Sequence, residues 1–328
     1  MSKLYYYARR IAVSVVLIWA IATFLFFAFR MLPGDYATVL LNQGMTAEEV
    51  AQVRASWGLD DPLYVQYFNW MENMLSGNAG VSRRLNQPVW DAVSTALMNS
   101  FILVLPGILA AFLLGTLYGA LMGNNPDSLF ERYGIIPPTI IGTTPDFFAA
   151  IIIVVVFSAW LGLFPVGSIA STQTLIETNS MWEVYLTTDF WYHYTLPFLT
   201  IAIKYMYYPA LIMRGSVVEV RGQEFAKYQR LLGLSDLRRF RHVLKHASLP
   251  VITLLPTVTA RAIGGLVLIE FVFNWPGIGK LLFDSVIGRD TPVIQFIFLL
   301  IAIWIVVGNF LVDIAYTLID PRITIEGE

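Results

Sequence analysis

Two histidines, His242 and His246, stand four residues apart within Arg238-Arg239-Phe240-Arg241-His242-Val243-Leu244-Lys245-His246. On a helix that spacing brings both rings to one face, as a metal site requires. No Glu intervenes, no acidic ligand adjoins, and a cationic cluster repels a cation, so no metal is expected there. Gly277-Ile278-Gly279-Lys280 has the look of a phosphate loop, but that loop needs Gly at 274 and Ser or Thr at 281, where Asn274 and Leu281 stand. Any ATP hydrolysis is therefore assigned to another chain. The third histidine, His193, lies at the end of an apolar stretch, without the nucleophile–base constellation a membrane hydrolase would need. Cys is absent, which removes disulfides, thiolate zinc, iron–sulfur clusters and a cysteine nucleophile. No catalytic residue and no cofactor is expected.

What remains chemically are ionisable groups inside apolar sequence: Lys204, Arg261, Glu270 and Asp313. A charge at the centre of a bilayer costs several kcal/mol, so such groups face a cavity or a partner. Arg261 and Glu270 are nine residues apart, which at 100° per residue sets them on opposite helix faces and prevents pairing within one helix. Lys204, beside Tyr205, Tyr207 and Tyr208, and Arg261 are the expected lining of a translocation path. Glu270 is expected to hold an outer gate through an ion pair or hydrogen bond. Asp313 lies close to a membrane boundary, where snorkelling is the simpler account.

The elements that must carry these groups follow from composition. Of 328 residues 57% are hydrophobic and 13% charged, against roughly 25% charged in soluble domains. The net charge of −2 argues against nucleic-acid binding. An all-α integral membrane protein is the expected class, because a spanning helix needs about 20 mainly apolar residues. Six such helices are predicted: Ile11 to Phe29, Phe101 to Met122, Phe147 to Leu163 after the helix start Thr144-Pro145-Asp146, Leu196 to Met213, Leu249 to Phe273, and Val293 to Leu318. The segment from Tyr133 onward extends the third beyond a proline kink. A signal peptide is the alternative for the first, but its apolar run is too long and no small-x-small cleavage site follows.

Basic residues set the orientation. With the N-terminus inside, segments 1–10, 123–134, 214–250 and 317–328 carry 13 of the 21 Lys and Arg, and the outer segments carry six. Both termini are thus expected inside, with the chain multi-pass in its membrane. The domain scheme is an N-terminal helix at 1–30, an extracytoplasmic segment at 31–97, a transmembrane core at 98–322 and a tail at 323–328. Within 31–97, Thr46 to Trp57 reads as a helix whose Thr46 and Glu49 match a capping box. A small folded outer cap is expected. Trp275-Pro276-Gly277-Ile278-Gly279 cannot continue a helix, and reads either as a re-entrant turn closing the outer mouth or as a plain connection.

Between the fourth and fifth helices, 214–250 is basic and amphipathic. Phe225, Tyr228, Leu231, Leu232 and Leu234 fall near helical spacing among Lys227, Arg230 and later arginines, and Gly233 supplies a cap or tight turn. One reading gives these charges the task of fixing topology only. The other makes the segment a lever, a short helix seated in a groove of a partner.

The run Arg221-Gly222-Gln223-Glu224-Phe225 through Gly233-Leu234-Ser235, then Arg241-His242 and Leu249-Pro250-Val251-Ile252-Thr253, resembles the coupling-loop signature of ABC-importer permeases. The chain is similar in particular to the first permease subunit of the dipeptide/oligopeptide/nickel importer family. Landmarks agreeing in order include Leu32-Pro33-Gly34-Asp35, Gly58-Leu59-Asp60-Asp61-Pro62 with Gln66-Tyr67, Gly162-Leu163-Phe164-Pro165, Glu270 through Gly279, Arg289-Asp290-Thr291-Pro292 and Asp320-Pro321-Arg322. The resemblance spans nearly the whole chain. It implies a second homologous permease subunit, two ABC ATPase subunits, and an extracellular solute-binding protein. It also implies an ATPase-coupling role for Glu224, Phe225, Tyr228, Arg230, Leu231, Gly233, Arg241 and His242; the residues themselves, not the resemblance, give Glu270, Trp275, Pro276, Gly277 and Asp313 a gating or structural role. One departure stands out: where the family has Ala-Arg-Ala-Lys-Gly, this chain has Gln229-Arg230-Leu231-Leu232-Gly233. The expected cargo is a peptide, with a nickel complex or an oligosaccharide as alternatives. The competing mechanism is an ATPase-independent secondary transporter or channel.

Overall fold

A computed structural model describes residues 3–31, 41, 45–56, 58–125 and 128–319, with side chains from residue 9 onward except those of 227, 230 and 309–319. The 32–35 and 320–322 landmarks, Trp57, and the side chains of Arg230 and Asp313 lie outside the described residues. The chain forms two compact units, Met1–Thr95 with Leu281–Glu328, and Ala96–Lys280.

In the first unit, α1 (Lys3–Met31) runs beside the last helix, which spans Thr291–Ile319. The expected capping box is present at α2 (Ala47–Ser56): the Thr46 amide donates to the Glu49 carboxylate at 2.8 Å, and the Glu49 amide returns a bond to the Thr46 hydroxyl at 3.3 Å. Gly58 then turns with φ +62°. Gln66 of α3 (Leu63–Leu75) holds that turn, its Nε2 donating to the Leu59 and Asp61 carbonyls at 3.0 and 2.7 Å. The α3 helix docks on α1 through aromatic rings, with Tyr67 and Trp70 packing on the fully buried Phe26. A two-stranded antiparallel pair follows, β1 (Val81–Ser82) and β2 (Gln87–Pro88). Neither α3 nor this pair was expected from the sequence.

The hairpin is held by a distant carboxylate. Asp290, fully buried, accepts from the Ser82 hydroxyl at 2.5 Å and from the Arg83 and Arg84 amides at 3.2 Å each. A buried carboxylate is tolerated where several donors replace its water.

The second unit takes most of α4 (Val89–Asn124), which carries Pro106 inside it. Next come α5 (Leu129–Tyr133), α6 (Ile136–Thr143), α7 (Asp146–Val154) and a π-helical turn at Val155–Trp160. The short helices α8 (Thr172–Glu177) and α9 (Met181–Tyr185) lead into α10 (Thr188–Tyr205) and α11 (Tyr207–Gly222). Then follow α12 (Glu224–Leu231), α13 (Asp236–Ala247) and α14 (Leu249–Val272). The remaining helices are α15 (Ile278–Ile287) and α16 (Thr291–Ile319).

Backbone proximity between α4 and α11 rests on a glycine stripe. A Cβ at Gly115 would collide with the Met206 carbonyl, and one at Gly119 with the Ala210 carbonyl. Without a hydrophobic force between helices in lipid, such close approach supplies the van der Waals contact that holds them. The core gathers around Leu103, Phe190, Tyr194, Leu196, Ile269 and Trp275.

Among the described residues, five helices are long and apolar enough to cross a membrane: Arg9–Met31, Val89–Asn124, Thr188–Gly222, Leu249–Val272 and Thr291–Gly308. The third expected span is broken. Leu129–Thr143 and Asp146–Trp160 meet at 106°, far beyond a proline kink, and bring the number to six if the pair is counted as one span. The protein is an all-α integral membrane protein with one small β pair among the described residues.

Candidate functional site

The break between α6 and α7 holds a lysine–carboxylate pair, Lys204 and Asp146. Pro145 has no amide hydrogen to continue α6, so the last carbonyls of that helix are left without helical partners. In hydrocarbon such carbonyls must find donors within the protein. Lys204 of α10 supplies them: its Nζ donates to Ile141 at 3.1 Å, to Gly142 at 3.0 Å and to the Thr144 carbonyl. The same ammonium lies 3.5 Å from Oδ1 of Asp146, the first residue of α7. A cation thus sits at the negative end of one helix dipole, and its anion at the positive end of the next. Lys204 is only 5% exposed.

Around this pair the packing is tight. The Tyr207 ring fills the space a side chain at Gly142 would need, and the Asp146 carboxylate with the Tyr205 hydroxyl fills that at Gly265. Lys204 therefore sits in the helix break instead of projecting beside its tyrosines into open space. Arg261 is exposed, its guanidinium 5.5 Å from the centre of the Tyr208 ring. Glu270, on the same helix, is fully buried.

Glu270 organises the turn between α14 and α15. Its Oε1 accepts from the Ser100 hydroxyl at 2.5 Å, and its Oε2 accepts from the Lys280 amide at 3.0 Å, inside the first turn of α15. The Ser100 oxygen in turn accepts from the Ile278 amide at 2.8 Å. Asn99 completes the clasp: its side-chain amide donates to the Pro276 carbonyl at 2.8 Å, and its own carbonyl accepts the Trp275 indole N–H at 3.1 Å. Tyr185 donates to the Asn99 side chain at 2.5 Å, and burial pushes that phenol above its ordinary value, so it stays a donor. Gly277 and Gly279 both lie against the Glu270 carboxylate. The amides that a phosphate would need at this loop are turned to a carboxylate instead.

The 214–250 segment folds as a helical hairpin. Gly233 ends α12 with φ +69°, a backbone conformation costly for residues with a Cβ. Phe225 packs on the His246 ring at 5.1 Å, and Gln229 hydrogen-bonds His242 at 3.2 Å, so the two histidines face α12 across the hairpin. Val243 and Ala247 are buried beside Met213 and Val217 of α11. Four other apolar residues do the opposite: Tyr228, Leu231, Leu232 and Leu237 are 62–81% exposed. Arg241 and His242 are also exposed.

A search for related proteins matches residues 115–325 to the binding-protein-dependent transport system inner membrane component, and residues 3–99 to its N-terminal companion. The oligopeptide transport system permease protein AppB of Bacillus subtilis is 33% identical over 321 residues, covering 97% of this chain and 98% of that protein. A probable peptide ABC transporter permease protein of Sinorhizobium fredii is 32% identical over 319 residues, covering 97% and 98%.

The chain belongs to the binding-protein-dependent inner membrane components.

As such a component it is a permease subunit of an ABC importer, a transport protein and not an enzyme, multi-pass in the plasma membrane. Reading the permease from sequence singled out Lys204, Glu270, Trp275 and Gly277 but missed what they touch. Asp146 was visible only as a helix start, and Asn99 and Ser100 as two polar residues at the head of an apolar run. Asp290 had a usable signal, an acid directly before Thr-Pro at a helix start, where capping residues collect.

Proposed function

We propose that this permease forms half of a path for peptides and is driven through its 221–246 segment by separate ATPase subunits. The observation that carries the reading is the hairpin α12–α13, which turns Tyr228, Leu231, Leu232 and Leu237 to solvent on an otherwise basic segment. Burying such side chains is worth about 1.5–3 kcal/mol each, so they favour a groove on a partner. Glu224, Phe225, Gly233, Arg241 and His242 keep that face in shape, with Arg230 as a further expected contact. ATP-driven closure of the partners pushes the hairpin, the spans rock, and the path opens in turn to each side.

The proposed assembly contains this chain, a second homologous permease, two ABC ATPases and an extracellular solute-binding protein. Counting the bent pair as one span gives six, with both termini cytoplasmic, the 31–97 segment outside and the permease core over 98–322. Arg261, exposed mid-helix, is the path candidate, where it meets peptide carboxylates. Lys204 shapes that path from behind, through the α6–α7 break. Glu270, Trp275, Pro276 and Gly277 brace the outer gate, with Asp313 as a further structural charge. Peptide cargo is supported by the names of the relatives.

The test is deletion of 225–233 in the assembled importer. Membrane insertion is expected to persist, while peptide-stimulated ATP hydrolysis and uptake are lost. Normal stimulated hydrolysis from the deleted form would refute coupling through this segment, and uphill peptide accumulation by the purified chain alone would refute the division of labour.

A further inference from the structure

Within the second unit, one stretch of α11 makes two attachments. Met213 and Val217 receive the buried Val243 and Ala247 of the hairpin. Arg214, next in sequence to Met213, donates from its guanidinium to the Glu131 carboxylate of α5. Both side chains are largely covered, Glu131 to 18% exposure and Arg214 to 32%. Salt screens such a pair less than one on an open surface.

The two short helices α5 and α6 form an arm, Leu129–Thr143, whose far end is the 106° break. The turn between them is fastened as well, because the Tyr118 hydroxyl of α4 donates to the Gly134 carbonyl at 2.7 Å. That same α4 is pressed onto the stretch of α11 that holds the arm: a Cβ at Gly123 would meet the Arg214 carbonyl at 2.8 Å and the Val217 side chain at 2.9 Å. Toward the break the arm lies against α10 and α11, with the Tyr207 ring beside Gly142. Past the break the neighbours change. There α7 packs on α10 and α14, and the Asp146 carboxylate lies against Gly265 of α14. Lys204 holds both sides, the arm through its carbonyls and α7 through Asp146. A compact ammonium on a flexible stem follows its acceptors as their angle changes, where a planar guanidinium would fix it.

We infer that the Arg214–Glu131 pair is the positioning contact that makes the arm travel with the hairpin, so that hairpin movement changes the angle at the α6–α7 break. The inference rests on the coupling reading of the hairpin given above, and it extends the machinery to two residues outside both the hairpin and the path.

The assembled importer in proteoliposomes tests this by two readings. One is uptake per ATP hydrolysed. The other is the separation of spin labels on Leu129→Cys and Ile152→Cys, both exposed positions in a chain without native Cys. That separation is expected to differ between the nucleotide-free importer and the one trapped with ATP and vanadate. Glu131→Gln and Arg214→Gln are each expected to remove the shift and to lower uptake per ATP about fivefold, the smaller end of usual coupling between sites, while stimulated hydrolysis persists. A pair that only stabilised the fold would lower hydrolysis and uptake together. Exchanging the charges, Glu131→Arg with Arg214→Glu, is expected to restore most of both readings. Asn124→Ala, which removes a 2.9 Å bond from Arg221 between α11 and α4 outside the arm, is expected to leave uptake per ATP as it is. Equal label separations in the two states of the native importer would overturn the inference. So would an unchanged uptake per ATP in both single variants, or a deficit that the exchange leaves in place. Failure of the coupling reading itself is distinguishable, because stimulated hydrolysis would then survive deletion of 225–233 whatever the pair does.

Discussion

Lys204 and Asp146 meet at 3.5 Å across the break between α6 and α7, joining a helix C-terminus, a helix N-terminus and a third helix at one point. Each partner covers for the other in a region without water. Lys204→Met leaves three carbonyls and a carboxylate uncompensated, and the expected loss is about 3 kcal/mol of stability. Adding Asp146→Asn to Lys204→Met is expected to recover part of it. Thermal unfolding of the detergent-solubilised importer, run as a double-mutant cycle, measures the coupling; strictly additive losses would show that the pair does not hold the break.

Gly277 and Gly222 offer a matched comparison. A methyl group at Gly277 falls on the Glu270 carboxylate, whereas nothing lies within 4 Å of one at Gly222. Gly277→Ala is therefore expected to loosen the clasp of Asn99, Ser100 and Glu270 and speed proteolysis within 273–280. Gly222→Ala should leave proteolysis unchanged. Equal cleavage of both variants would count against the clasp.

At the hairpin, Gly233→Ala places a Cβ in left-handed backbone, at a cost of about 1–2 kcal/mol. Nothing crowds that position, so the effect is conformational and not steric. Hydrogen exchange across 224–247 is expected to quicken by roughly one order of magnitude, with the spans unaffected. Slower exchange would mean that the turn prefers another conformation.

The start of α2 carries a pH-sensitive cap. The Thr46 backbone N–H, then its hydroxyl, hold the Glu49 carboxyl below its ordinary value of 4.5. Because the folded state lowers this value, the cap's contribution is complete above the ordinary carboxylate range and fades as pH falls through the lowered one. Intrinsic-rate-corrected exchange of the α2 amides is expected to rise over that acid window. In Thr46→Ala the rise should flatten; an unchanged profile in that variant would remove Glu49 as the cause.

Close packing of α4 on α11 gives a last test. Gly119→Leu drives a side chain into the Ala210 carbonyl and is expected to cost at least about 1–3 kcal/mol, the usual range for overpacking. Gly264→Leu, where no atom lies within 4 Å, is the control. Comparable yields of folded protein from the two would contradict the proximity of the helices.

The spans were legible because twenty apolar residues in a row have few other uses, and the capping box because its partners are three residues apart. The 106° break was not. Thr144-Pro145-Asp146 announces an interruption, but the donor that satisfies its carbonyls is Lys204, some sixty residues away in the sequence. The β pair escaped for another reason: two-residue strands are too short to show alternation. Gly115, Gly119 and Gly123 stood at four-residue spacing in plain view, yet the helix they face had to be seen before the stripe meant anything. For Arg261 and Glu270 the angular argument required only the helical repeat, and the exposed arginine and buried glutamate lie as that repeat dictates.

Ser82 and the carboxylate that secures it are 208 positions apart. A ribosome adding about 5–20 residues per second needs roughly 10–40 s to travel that distance. During that interval the hairpin has been made but its latch has not, and the nascent segment waits with its turn amides uncovered. Any chaperone or protease working on that side of the membrane thus meets the permease first as an unfastened strap, and the closing of that strap marks the arrival of the final helix.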